Sequence, residues 1–208
     1  RKISMKRKLA ILTMGALLFV LSASFTAGQT IDVPYGTAPV FSGTLDYSQW
    51  TDAYMDTFRL GAKSGKYVAI DTFWVKYNND SLYVIWVTPD YVPQEIDRHS
   101  LLFDINGDRT LTVQADDYRF MVSTTGNEQT EFLGNKDLWS ELPSITGWNY
   151  GYSSATHLIT QFAVSLSKLG ITPGVPATIG MALMADSPTR LGRWPAGADT
   201  ISPATWAI

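Results

Sequence analysis

Three oxygen-bearing side chains stand at alternate positions in Asp104-Ile105-Asn106-Gly107-Asp108, directly after the apolar run Leu101-Leu102-Phe103. That spacing suits a hard cation, because calcium takes about six to eight oxygen ligands and a short turn with a glycine inside it can fold around one ion. Asp116 and Asp117 follow after a short loop, so the expected donors to a structural calcium are Asp104, Asn106, Asp108, Asp116 and Asp117. The EF-hand pattern is not followed. Its sixth-position glycine falls here at the fourth, and Ala115 stands where the loop needs a bidentate Glu. The same residues also make an acidic hairpin turn in which Asn106-Gly107 supplies the positive-φ positions. At this point both readings stand.

No other constellation points to chemistry. A glycosidase needs two placed carboxylates, and 19 acidic residues single out no pair. The hydrolase elbow, the phosphate-binding loop, the dinucleotide fingerprint and the HExxH zinc site are all missing. The two histidines, His99 and His157, come with no serine signature. The expectation is a protein that is not an enzyme. With no cysteine, disulfides and thiolate metal sites are excluded.

The chain start reads as a secretory signal peptide. Met5 precedes Lys6-Arg7-Lys8, then an almost uncharged apolar stretch from Leu9 to Phe25, then Thr26-Ala27-Gly28. Arg1 to Ser4 are expected to lie upstream of the true start, and residues 29–208 to form one domain. Residues 1–28 hold five of the 16 basic residues and none of the 19 acidic ones, so the remainder carries 11 minus 19, or −8. An acidic exported domain lacks the basic face that nucleic acid requires and suits a cation-binding surface outside the cell or on it.

The elements that must position the turn are strands. Phe73, Val75 and Tyr77 alternate with Thr72, Trp74 and Lys76, and after Asn78-Asn79-Asp80 the run Ser81 to Thr88 resumes, which predicts a hairpin. Further strands are expected at 100–105, 117–124, 130–133, 147–152, 156–164 and 177–185, with one helical turn at Leu166 to Ile171 closed by Gly170. Short strands with no long amphipathic helix predict an all-β fold, a two-sheet antiparallel β-sandwich of jelly-roll-like kind.

A family resemblance rests on the order of several pieces. They are Gly43-Thr44-Leu45-Asp46 with Trp50, Asn79 to Val87, Leu101 to Asp104 with its acidic turn, Asp117 to Phe120, and Gln161 to Gly170. Over about Val40 to Asp186 this succession resembles the DOMON-like β-sandwiches, and among them the family 9 carbohydrate-binding modules. The resemblance implies a non-catalytic domain, often calcium-stabilised, that binds carbohydrate or a cell-surface glycan. In other branches the ligand is haem, for which His99, Met121, Met181 and Met184 are the axial candidates.

Sugar sites stack pyranose rings on aromatics and hold hydroxyls with polar side chains. Trp74 and Trp86 lie in alternating strands and are expected in the core, with Trp50 packing the amino-terminal segment. Trp139, Trp148 and Trp194, near loops, are the candidate stacking residues, and Arg98 is the candidate polar contact. Arg119 is expected to pair with Asp116 and Asp117. A reading from another class is an extracellular surface or filament subunit that self-associates by strand exchange, donating Thr30, Ile31, Val33 and Tyr35 to a neighbour.

Overall fold

Asn78 sets the hairpin expected over residues 71–88. Its Oδ1 accepts the backbone N–H groups of Asp80 (2.8 Å) and Ser81 (3.0 Å), so the side chain closes the turn that the flanking apolar runs need. Phe73 then stands opposite Trp86, and Val75 opposite Val84.

The computed structural model describes residues 29–41, 45–65, 67–89, 98–123, 128–153 and 157–208; the expected signal peptide lies outside them. Among the described residues eleven strands run in chain order, beginning with β1 (Tyr54–Ala62), β2 (Tyr67–Tyr77), β3 (Ser81–Thr88), β4 (Arg98–Asp104), β5 (Asp117–Ser123) and β6 (Glu128–Asn135). After them come β7 (Leu138–Glu141), β8 (Trp148–Ser153), β9 (Leu158–Ser165), β10 (Gly180–Asp186) and β11 (Arg190–Trp194). They pair antiparallel in the order β7-β6-β5-β4-β10-β11-β1-β2-β3-β9-β8. The short β11 stands at the centre of that order, with five strands on either side of it. This is the expected β-sandwich, with β1, β7 and β11 added to the strands read from sequence.

One core fills the space between the layers. Phe73, Val84, Trp86 and Phe162 from one side meet Leu101, Phe103, Phe120 and Leu183 from the other. Two smaller clusters lie on the outer faces. Trp50 and Phe41 cover Tyr83, Ile85 and Ile159 on one layer, while Trp206, Val113 and Ala198 cover Leu102 and Met184 on the other. Lys76 is buried beneath the first covering segment, where its Nζ donates to the Gln49 carbonyl and to Asp52 (2.8 Å) and lies over the Trp50 ring.

The helical turn after β9 ends as expected at Gly170, whose φ is +65°. The Gly170 N–H reaches the Ser167 carbonyl and the Ile171 N–H reaches that of Leu166, the paired bonds of a Schellman cap. β10 begins later than expected, at Gly180, where a Cβ would stand 2.9 Å from the Cβ of Asp104.

The segment expected to donate a strand to a neighbour is used within its own domain. Ile31 N–H bonds the Ile208 carbonyl (2.7 Å), Ile208 N–H bonds Gln29 (2.8 Å), and Tyr77 N–H bonds Pro34 (3.1 Å). Ile31 and Val33 pack onto the central core. These backbone groups are thus satisfied internally rather than left as an open edge.

Candidate functional site

The two ends of the sandwich carry different chemistry. At one end the acidic turn joins β4 to β5. Asp104, fully buried, accepts the N–H groups of Gly107 (2.8 Å) and Arg109 (3.0 Å). It stands directly opposite Asp117, which is 1% exposed and accepts the Gln114 N–H at 2.6 Å. Burial pushes the Asp104 carboxyl above its usual range. Burial, reinforced by the charges of Asp104, Asp116 and Asp108, pushes Asp117 up to about 7. Asn106 and Asp108, both exposed, close on each other through Asn106 Nδ2 (3.0 Å) and the Asp108 N–H (2.9 Å). Among the described residues no three carboxylate or imidazole groups converge on one point. The oxygens nearest to forming a cation site are therefore the opposed pair Asp104 and Asp117, with Asp108 and Asp116 around them.

At the other end a polar cluster sits between the layers. Asp71 accepts the Trp86 indole N–H at 2.8 Å, and the His99 ring lies flat on Trp86 with centroids 3.8 Å apart. His99 Nδ1 is 2.8 Å from the Thr160 hydroxyl, and burial pushes its pKa down to about 3, so the ring is neutral. Burial pushes Asp71 up to about 7, against the Trp86 hydrogen bond and the Arg190 charge that favour its ionised form. In the unfolded chain this carboxyl titrates near 4. The folded protein therefore holds a proton that the unfolded chain has lost between about pH 4 and 7. Stability should fall across that window by about 4 kcal/mol on account of this group. Asp71→Asn should flatten the fall and stabilise the protein at about pH 8 in urea melts; a pH profile identical to that of the parent would contradict the assignment.

The outer face of β4, β5 and β6 above the acidic turn presents donors to solvent. Tyr118, Phe120 and Val122 turn inward, so Arg119 and Met121 turn outward. Arg119 runs along the sheet, where its Nε donates to Ser100 Oγ (3.0 Å), its Nη2 approaches Met121 Sδ (3.6 Å), and its guanidinium lies 5.4 Å from the Phe132 ring centre. Exposed Arg98 occupies the same face at the start of β4. The result is a flat ring-and-guanidinium surface with spare N–H donors.

Of the candidates read from sequence, Arg98 and Trp139 share this outer face at opposite corners. Trp139 is half-buried, stacks on Trp206 and donates to the Thr200 carbonyl (2.8 Å). Trp148 and Trp194 belong instead to the core. Trp148 is 8% exposed and donates to buried Glu131 (3.1 Å), and Trp194 is 2% exposed and donates to Asp56 (2.9 Å). Their rings are spent on packing against Phe120, Phe162 and Phe73 and are closed to stacking by a sugar. The haem candidates scatter as well. His99 lies inside one end, Met181 inside the other, and Met121 and Met184 on the outer face. Arg119 takes Ser100 and Phe132 rather than Asp116 and Asp117, and this role was missed in the sequence. The available signal was the alternation of β5, which puts Arg119 opposite Phe132 on the solvent side.

No protein-family model and no curated protein sequence matches the chain. Solved structures do. A family 9 carbohydrate-binding module from Caldicellulosiruptor kristjanssonii in complex with cellotriose superposes with a TM-score of 0.67 at 18% identity, covering 86% of this chain and 91% of that one. A second structure of a family 9 module from the same organism, with glucose, gives 0.64 at 17% identity, covering 86% and 93%. The protein therefore has the fold of the family 9 carbohydrate-binding modules.

Proposed function

We propose that this chain is an exported, non-catalytic carbohydrate-binding domain whose glycan lies on the outer face of β4 to β6. The observation that carries the reading is Arg119 over Phe132 beside Ser100 and Arg98. A planar donor array next to an aromatic ring suits a ligand that offers both hydroxyls and a flat C–H face. The likeness to modules solved with cellotriose and glucose supports the ligand class. Calorimetric titration with cellotriose and acidic trisaccharides should give saturable binding to at least one of them, weakened on the order of tenfold by Arg119→Gln. Absence of saturable binding across that panel would overturn the reading.

The acidic turn is the proposed calcium site, with Asp104 and Asp117 as the inner carboxylates and Asp108 and Asp116 beside them. Like charges opposed across two strands destabilise a sheet unless something neutralises them, and a divalent ion does so with the oxygen donors it prefers. The ion would fix the β4–β5 loop and serve stability. Chelation should lower the Tm by roughly 5–10 °C relative to saturating calcium. Asp104→Ala combined with Asp108→Ala should abolish that response. A melt indifferent to chelator would remove calcium from the account.

A further inference from the structure

We infer that the cavity between the layers at the acidic-turn end is a second binding site, for an apolar small molecule whose head donates hydrogen bonds and carries no negative charge. Its volume is about 390 Å³, inside the range of about 300–1,000 Å³ in which proteins hold drug-sized ligands. The inference is independent of the carbohydrate reading, which puts the glycan on the outer face of β4 to β6.

The inner walls belong to parts of the fold that are held in place. Leu82, Leu166 and Met181 are buried core residues, and Ile31, Val33 and Ile171 pack against the same core. Backbone bonds tie Ile208 to Ile31 and Gln29, and Ala207 exchanges a pair of them with Met181 (2.7 and 2.9 Å). The outer wall is the loop 172–178. Its start is fixed by the Ile171 N–H bond to the Leu166 carbonyl (2.8 Å) and the Val175 N–H bond to that of Thr172 (3.1 Å), while Pro173 and Pro176 restrict its backbone. These two prolines, Val175 and Ala177 all line the cavity, yet the loop is exposed, Val175 at 58%. Apolar side chains held at a mouth, instead of collapsed onto Leu82 and Met181, leave a hydrocarbon-lined space that an apolar body fills with a gain from burial.

The polar groups decide the head. Thr30, Thr172 and Thr178, all exposed, bring hydroxyls to the rim. Asp32, also exposed, is the one charged side chain among the described residues that line the cavity, and no lysine, arginine or histidine stands with it. A carboxylate accepts hydrogen bonds and repels anions, so an alcohol or ammonium head suits this rim and a carboxylate head does not.

The test is fluorescence titration of the full chain with N-phenyl-1-naphthylamine, a neutral apolar fluorophore that is dark in water. Displacement with decanol, decylamine and decanoate, each below its micelle concentration, then reads the head. The fluorophore should bind saturably. At about 0.01 M salt, where charges act over about 30 Å, decanol and decylamine should displace it roughly fivefold more effectively than decanoate. Asp32→Asn should shrink the advantage of decylamine over decanoate and leave decanol unchanged, and the order of decanol and decylamine in the parent identifies the preferred donor. Ala177→Trp, at an exposed position, should fill the mouth and weaken fluorophore binding on the order of tenfold with a parental melting curve. Absence of saturable fluorescence, binding that survives Ala177→Trp, or decanoate displacing as well as decylamine overturns the inference. So does displacement by cellotriose, which would give the cavity to a sugar.

Discussion

Trp86→Ala should cost about 4 kcal/mol of folding stability, the largest loss expected from any single truncation in this core. The ring is fully buried, lies edge-on to Phe58 at 5.0 Å and flat against His99 at 3.8 Å, and donates its indole N–H to Asp71. Removing it opens a cavity between the two layers and also strips Asp71 of a hydrogen bond to its charged form. The second effect separates from the first in Trp86→Phe, which keeps most of the volume and loses only the N–H donor. That variant should cost about 1–3 kcal/mol, more at neutral than at acid pH, because the hydrogen bond is stronger to the ionised Asp71 than to its protonated form. Urea melts at two pH values measure both terms. A loss below about 1 kcal/mol for the alanine variant would mean that the layers do not meet at this ring.

Gly134→Ala should be nearly as damaging, for a different reason. A Cβ at this position would stand 2.0 Å from the Gln114 carbonyl oxygen and 2.9 Å from its carbonyl carbon and amide nitrogen. The obstacle is backbone, which cannot swing aside as a flexible side chain does. Forced overpacking of this kind costs about 1–3 kcal/mol, occasionally more. The loop that must move carries the Gln114 N–H that holds Asp117. The variant should therefore lose the calcium-dependent rise in Tm although no acidic residue has changed. Retention of that rise with a parental melting curve would show that the 110–117 loop is not held against β6 as described.

The hairpin from Asp71 to Thr88 was legible because two local signals agreed, period-two alternation on both strands and an Asn-rich turn whose side chain caps its own backbone. The cap at Gly170 was legible for a similar reason. β7 and β11 were not, since four- and five-residue strands carry too few alternations to register and are held in place by their neighbours. The roles of the tryptophans could not be separated by nearness to loops. Trp148 and Trp194 are inside because Glu131 and Asp56, remote in sequence, accept their indole N–H groups. Arg119 was misassigned because Asp117 lies two residues before it on the same strand face. Asp117 turns toward the β4–β5 loop, while the guanidinium runs the other way to Ser100, and that direction depends on the register of β4 against β5. The acidic turn was legible as a cluster, but the opposition of Asp104 to Asp117 came only from that same register.

A carbohydrate held by this protein should lie on the outer face of β4 to β6. Amide shift mapping by NMR during titration with the tightest-binding trisaccharide tests it directly. The largest shifts should fall on Ser100, Arg119, Met121 and Phe132 and be lost in Arg119→Gln. Shifts centred instead on the cavity of about 390 Å³ between Ile31, Ile171 and Met181, at the acidic-turn end of the sandwich, or no shifts at all, would contradict it.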